Sequence, residues 1–212
     1  MSSTVTGPYI HSAEHLREVI TTPPADSPAI RKQMPKLDQF CRAYIEKSPF
    51  LLLGTASREG RCDVSPKGDA PGFVVVLDDE TLAIPDRPGN QRIDSMLNII
   101  ENPHAGLIFM VPNVDETLRV NGRAYLSEDP DLLARMVMKG KAPKLAIIVE
   151  IEEVYFHCAR AFKRSRLWEP DTWIERDELP TFGKILESEL NIDGLSADDI
   201  DKSLAESNKR LY

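Results

Sequence analysis

The sequence predicts a mainly β protein with helices, of the α+β class: a small, mostly antiparallel barrel flanked by helical segments. Three observations carry this. Short apolar runs follow one another between residues 50 and 159, too closely spaced for repeated βαβ units. One of them, TLRVNGRAYLS (117–127), alternates, with Leu118, Val120, Ala124 and Leu126 on one face and Arg119, Asn121, Arg123 and Tyr125 on the other. Helical spacing is confined to the first 48 residues, to two interruptions between strands and to the tail.

The totals agree with a single domain and an appendage. At 212 residues the chain buries a real core, and 42% apolar with 28% charged residues is ordinary for a globular protein. A formal net charge of -8 argues against a general nucleic-acid binder while leaving room for a small basic pocket. Cys41, Cys62 and Cys158 form no CxxC pair and are odd in number, which suits a reduced, cytoplasmic protein. No apolar run approaches a membrane span, and the first twenty residues show no basic region followed by an apolar stretch.

Three segments are expected: residues 1–48, helical and packed on the barrel; 49–176, the barrel; and 177–212, an acidic, partly helical tail. In the first, Leu16, Val19 and Ile20 make a short stripe. Ser27-Pro28 reads as a helix start, and Pro35 breaks the chain. Leu37, Phe40, Cys41, Tyr44 and Ile45 then recur at helical spacing until Ser48-Pro49.

FLLLGTA (50–56) is a buried-type strand, and FVVVLDDETLAIP (73–85) a hairpin turning at 78–80. A helix follows Asn90, with Ile93, Met96, Leu97 and Ile100 on one face. AGLIFMVP (105–112) is a strand. A helix after Asp129-Pro130 turns Leu132, Leu133, Met136 and Val137 inward and stops at Gly140. KLAIIVEIEEVYFHCA (144–159) is the longest strand, with a bend. Ser196 caps a last helix.

Three stretches carry chemistry. In IPDRPGNQRIDSMLNII (84–100), Arg87 and Arg92 sit at a helix start, where cations oppose the helix dipole unless an anion is present. Backbone N–H groups, a glycine and two arginines suit a phosphate. The structural alternative is a solvated loop whose arginines pair with Asp86 and Asp94. In RCDVSPKGDAPGF (61–73), Gly68 and Gly72 permit a ligand-hugging backbone, Lys67 supplies a cation and Ser65 a hydroxyl. A strand over 61–66 lying beside 81–85 would let Lys67 and Arg92 converge on one phosphate; the alternative is a tight turn with a surface lysine. In HCARAFKRSRLW (157–168), Lys163, Arg164 and Arg166 lead to Trp168, a patch suited to a planar anion, or else a basic loop on a core tryptophan. No metal spacing involves the four histidines, and no hydrolytic triad is visible.

Taken together, SPFLLLGTA, DVSPKGDAPGF, IPDRPGNQRIDSMLNI, ETLRVNGRA and HCARAFKRSRLW resemble the pyridoxamine 5′-phosphate oxidase-like flavoproteins, and within them a subgroup of probable FMN-dependent enzymes. The resemblance covers roughly residues 30–175. It implies an FMN-binding split β-barrel that forms a homodimer with FMN at the subunit interface. It implies flavin contacts at Ser65, Pro66, Lys67 and Gly68, phosphate and ribityl contacts at Asp86, Arg87, Asn90 and Arg92, and Lys163, Arg166 and Trp168 reaching across the interface. After Trp173 the chain runs into an acidic tail, without the tryptophan-and-arginine arrangement by which the oxidase itself holds its pyridoxal substrate. The implied activity is therefore an FMN-dependent oxidoreductase of unassigned substrate, fed by a nicotinamide or another small molecule, with no general acid or base named because the flavin carries the chemistry. A flavin carrier, sensor or store, and a barrel holding heme or a deazaflavin, are the rival expectations.

Overall fold

The computed structural model describes residues 7–192 and 194–212; residues 1–6, on which the reading of the N-terminus partly rests, lie outside them. The chain divides into two units, Met1–Met34 and Pro35–Tyr212. The first holds α1 (Ala13–Val19), capped by Ser12, whose hydroxyl accepts from the His15 N–H, and the short α2 (Pro28–Arg31), which starts on proline as expected. Leu16, Val19 and Ile20 are exposed.

The second unit opens with α3 (Gln39–Lys47). Asp38 caps α3 by accepting from the Cys41 N–H at 2.8 Å, and Cys41 and Ile45 face the core. Burial pushes the Cys41 thiol up to about 11, which leaves it an inert apolar residue.

A seven-stranded antiparallel sheet follows. Its strands are β1 (Phe50–Ala56), β2 (Cys62–Gly68), β3 (Val75–Val76), β4 (Thr81–Pro85), β5 (His104–Met110), β6 (Thr117–Ser127) and β7 (Ala146–His157), in the order β2-β1-β5-β6-β7-β4-β3. With its flanking helices this is the expected α+β split-barrel architecture. Alternation does the folding work: Leu51, Leu53, Leu107, Phe109, Leu118, Val120, Val149 and Val154 are all fully buried on the inner face, each worth about 1.5–3 kcal/mol. The expected bend in the longest strand is a bulge opposite Asn121 and Gly122. Only glycine fits there, because a Cβ on Gly122 would lie 1.9 Å from the Glu150 carbonyl oxygen.

Three local expectations need correction. The helix after residue 90, α4 (Asp94–Glu101), starts later than the sequence suggests and buries Ser95, Met96 and Ile99; Ile93, Leu97 and Ile100 face outward. α5 (Pro130–Ala134) ends before Gly140 and turns Leu133 and Met136 inward, with Val137 outside. β2 pairs with β1, not with β4.

α6 (Arg160–Ser165) follows the sheet, and the tail carries α7 (Phe182–Leu190) and α8 (Ala197–Asn208). α7 and α8 cross at Gly183, whose N–H donates to Asp201 at 2.7 Å.

Candidate functional site

Within 61–73 the strand considered over 61–66 exists as β2, at the edge of the sheet. Pro66 is tolerated in it because an edge strand leaves one row of N–H groups unpaired, and proline has none to offer. Gly68 takes an ordinary strand conformation; only Gly72, at φ +83°, uses glycine's freedom. Asp63, Ser65 and Lys67 share one face of β2, with Pro66 and Gly68 on the other. The first face differs from every other long strand. Where β1, β5 and β6 bury their inner positions, β2 leaves Asp63, Ser65 and Lys67 half-covered. On the opposite face Val64 is 63% exposed.

Lys67 stands at the exit of β2, where the barrel closes by charge instead of by a ladder. Arg87, just after β4, donates from Nε to Asp69 at 2.6 Å and from a terminal nitrogen to the Met136 carbonyl at 2.9 Å. The Asp69 and Arg87 side chains are 1% and 14% exposed. Burial pushes the Asp69 carboxyl up. Hydrogen bonds from Tyr212, the Ala70 N–H and Arg87, with the guanidinium charge, outweigh it and hold the group below its ordinary range. Beside this pair, burial raises Asp86, while the charges of Lys67 and Lys144 act to lower it. Lys67 therefore lies within electrostatic range of Asp86. Arg87 pairs with Asp69, not with Asp86 as the structural alternative had it.

Arg92 lies at the opposite end of β2. Its backbone N–H donates to the Asn90 side chain at 3.0 Å, and its Nε to Asp94 at 2.7 Å. It precedes α4 and is not in the helix's first turn. Ser95, in that first turn, donates to Asp63 at 2.5 Å. Ser57, Arg61, Cys62, Asp63, Arg92 and Asp94 line a cleft of about 320 Å³ here. Asp63 and Lys67 are four residues apart on a strand, about 13 Å. A ligand with two separated polar ends can meet both cations. A larger cleft, about 920 Å³, lies between residues of the α7–α8 region and includes none of the predicted residues.

The third stretch makes pairings of its own. Lys163 pairs with Asp115 at 2.5 Å and Arg166 with Glu169 at 2.7 Å. Trp168 stacks on Phe162 and donates to the Val114 carbonyl at 3.0 Å. Among the described residues no cluster of three or more His, Cys, Asp and Glu is placed to hold a metal ion.

Sequence reasoning passed over five residues at the Lys67 end: Asp69, Lys139, Lys141, Lys144 and Tyr212. The three lysines in KGKAPK were visible as a basic run in an acidic chain. Nothing in the sequence ties Tyr212 to residues 143 positions earlier.

Among solved structures, the chain is similar to HupZ of Group A Streptococcus, at 17% identity over 57% of this chain and 93% of that one, TM-score 0.47. It is also similar to an FMN-binding protein from Syntrophomonas wolfei (14%, 55% and 88%, 0.41) and to HutZ, a heme storage protein from Vibrio cholerae (15%, 57% and 94%, 0.42). No curated protein matches. The family model described as pyridoxamine 5′-phosphate oxidase matches residues 37–158, a span that runs from α3 to the end of β7 and takes in every strand and both ends of β2; the chain belongs to that family.

Proposed function

We propose that the protein binds FMN along β2 and acts as an FMN-dependent oxidoreductase, working as a homodimer. The observation that carries this is the β2 face. A barrel strand whose inner row stays half-covered, with a cation at each end, is a surface built to be covered by something flat and polar-ended. Exposed Ile93, Leu97 and Ile100 on one side of α4, and Val64 on β2, support a second copy as part of the cover.

The residues fit the cofactor. Arg92 would hold the phosphate, with Arg61 and the first N–H groups of α4, which has no side-chain cap. Asp94 is its present counter-ion and is exposed enough to be exchanged. Asn90 fixes the backbone of that turn. At the other end Lys67, with Ser65, would face the polar edge of the ring. An ammonium there favours negative charge on a reduced flavin. Asp86 tempers that charge and Arg87 anchors the loop. Pro66 and Gly68 supply backbone, and Lys163, Arg166 and Trp168 would come from the partner subunit. Bound FMN would supply the hydride chemistry, the protein position and electrostatics.

The test is the absorption spectrum of the purified protein after FMN addition and desalting. Stoichiometric retained flavin is expected. A heme-like or deazaflavin spectrum, or no retained flavin, would overturn the assignment. Bleaching by NADH or NADPH with re-oxidation in air then supports turnover; retained flavin that never bleaches with any donor leaves a carrier or store.

A further inference from the structure

Tyr212 is held at three points by parts of the chain far from it. Its hydroxyl donates to Asp69. Its ring lies under the Lys139 ammonium, 5.0 Å from the centroid. Its carbonyl oxygen accepts from Lys141 at 2.7 Å. The two lysines are presented by a tight hairpin. Met138 and Lys141 exchange both backbone hydrogen bonds at 3.0 Å, and Lys139 and Gly140 both take positive φ, +48° and +78°. That is the geometry of a two-residue primed turn. A lysine is an unfavourable choice for the first position, where Asn, Asp or Gly pass without cost. The strain places its ammonium over the tyrosine ring.

The grip is reversible by construction. Asp69 keeps the Ala70 N–H at 2.7 Å and the Arg87 Nε at 2.6 Å when the tyrosine leaves. Lys139 and Lys141 are exposed and return to water. No buried group is orphaned by opening, so the contact can open without unfolding the barrel. Asp69 lies two residues beyond Lys67, and Arg87 one beyond Asp86. The tyrosine therefore covers the corner at which β2 delivers Lys67.

We propose that the segment Lys209–Tyr212 is a strap over the Lys67 end of the cofactor site, with Tyr212 as its latch and the Lys139–Gly140–Lys141 turn as its catch. It sets how fast a ligand enters and leaves that end, and not how tightly it is finally held. The proposal rests on the FMN reading above.

FMN association and dissociation are followed by stopped-flow flavin fluorescence, comparing the full chain with a variant lacking Arg210–Tyr212 and with Lys139→Ala/Lys141→Ala. A strap raises both rates about fivefold or more in either variant, with Kd moved by less than about threefold. It also makes the effects non-additive when truncation and the lysine changes are combined. Labelling of Lys139 and Lys141 by an amine-reactive reagent, read by mass spectrometry, rises in the truncated protein while that of Lys184 and Lys202 does not. Unchanged rates in a chain that binds FMN overturn the strap and leave the flavin reading intact. A rise in dissociation alone makes Tyr212 an ordinary binding residue and overturns the strap as well. Failure of the full chain to bind FMN overturns the flavin reading, and the gate falls with its site. A change in melting temperature that tracks the rate changes assigns Tyr212 to stability and overturns gating.

Discussion

The two ends of β2 are built on different principles. At the Lys67 end, four segments far apart in sequence meet: the exit of β2, the exit of β4, the turn after α5 and the segment after α8. Their central ion pair is almost wholly buried. At the Arg92 end the charges are paired with near neighbours, Arg92 with Asp94 and Arg61 with Glu59, and the arginines are 74% and 85% exposed. A buried pair with additional donors is fixed in place, because removing one partner strands the other in low dielectric. An exposed pair two residues apart exchanges with solvent or with a better anion. The contrast gives the site one rigid end and one adaptable end.

The sharpest way to break this contrast is Arg87→Ala. It leaves Asp69 buried with its guanidinium gone, and an unfolding free-energy loss of about 3 kcal/mol is expected in urea titration. Arg92→Ala should leave the urea midpoint where it is. Equal midpoints in the two variants would mean that the Lys67 end is no more rigid than the other.

The same difference explains what could be read in advance. The strands of the barrel were legible because alternation is local: each inward residue announces itself two positions on. The pairing of β2 was not, since a strand of Cys, Asp, Val, Ser, Pro, Lys and Gly carries no apolar face to register it. A strand over 61–66 could be considered, but its proline and glycine equally suit a turn wherever an edge strand does not excuse them. α4 shows the other limit. Periodicity finds the apolar stripe Ile93, Met96, Leu97 and Ile100, but not that the core takes only Met96 of it, together with Ser95 and Ile99. Within the site, the Arg92–Asp94 pair was foreseeable as a contact between residues two apart. Arg87–Asp69 and the Tyr212 contacts depend on barrel closure, which no window of sequence contains.

Flavin binding then sharpens the comparison. Lys67→Ala with Arg92→Ala should weaken FMN at least about a hundredfold and abolish its retention on desalting; normal flavin content in the double variant would end the assignment of β2. The single variants separate the ends. If the adaptable end takes the phosphate, Arg92→Ala weakens FMN about tenfold and leaves riboflavin unchanged, the value of one lost charge-assisted contact. Lys67→Ala weakens both flavins alike. The reverse pattern would put the phosphate at the rigid end.

The smallest expected effect, and the most diagnostic of burial, is on acid stability. The folded Asp69 carboxyl titrates below its ordinary value of 3.8, so its carboxylate contributes stability that is present above that pH and is lost as pH falls through the lowered folded value. Asp69→Asn removes that contribution at every pH. The gap between wild type and variant in urea midpoint should therefore be full at neutral pH and close progressively below about pH 4. Asp94 is also lowered, chiefly by the hydrogen bond from Arg92, and the sign of its linkage is the same. Its carboxylate is exposed, however, and water screens the pair, so Asp94→Asn should run parallel to wild type over the whole range. Two carboxylates shifted in the same direction thus predict different acid limbs, and the difference comes from burial alone. If Asp94→Asn closes its gap as steeply as Asp69→Asn, the distinction between a locked and an exchangeable end of β2 is lost, and with it the reason for assigning the exchangeable anion to Arg92.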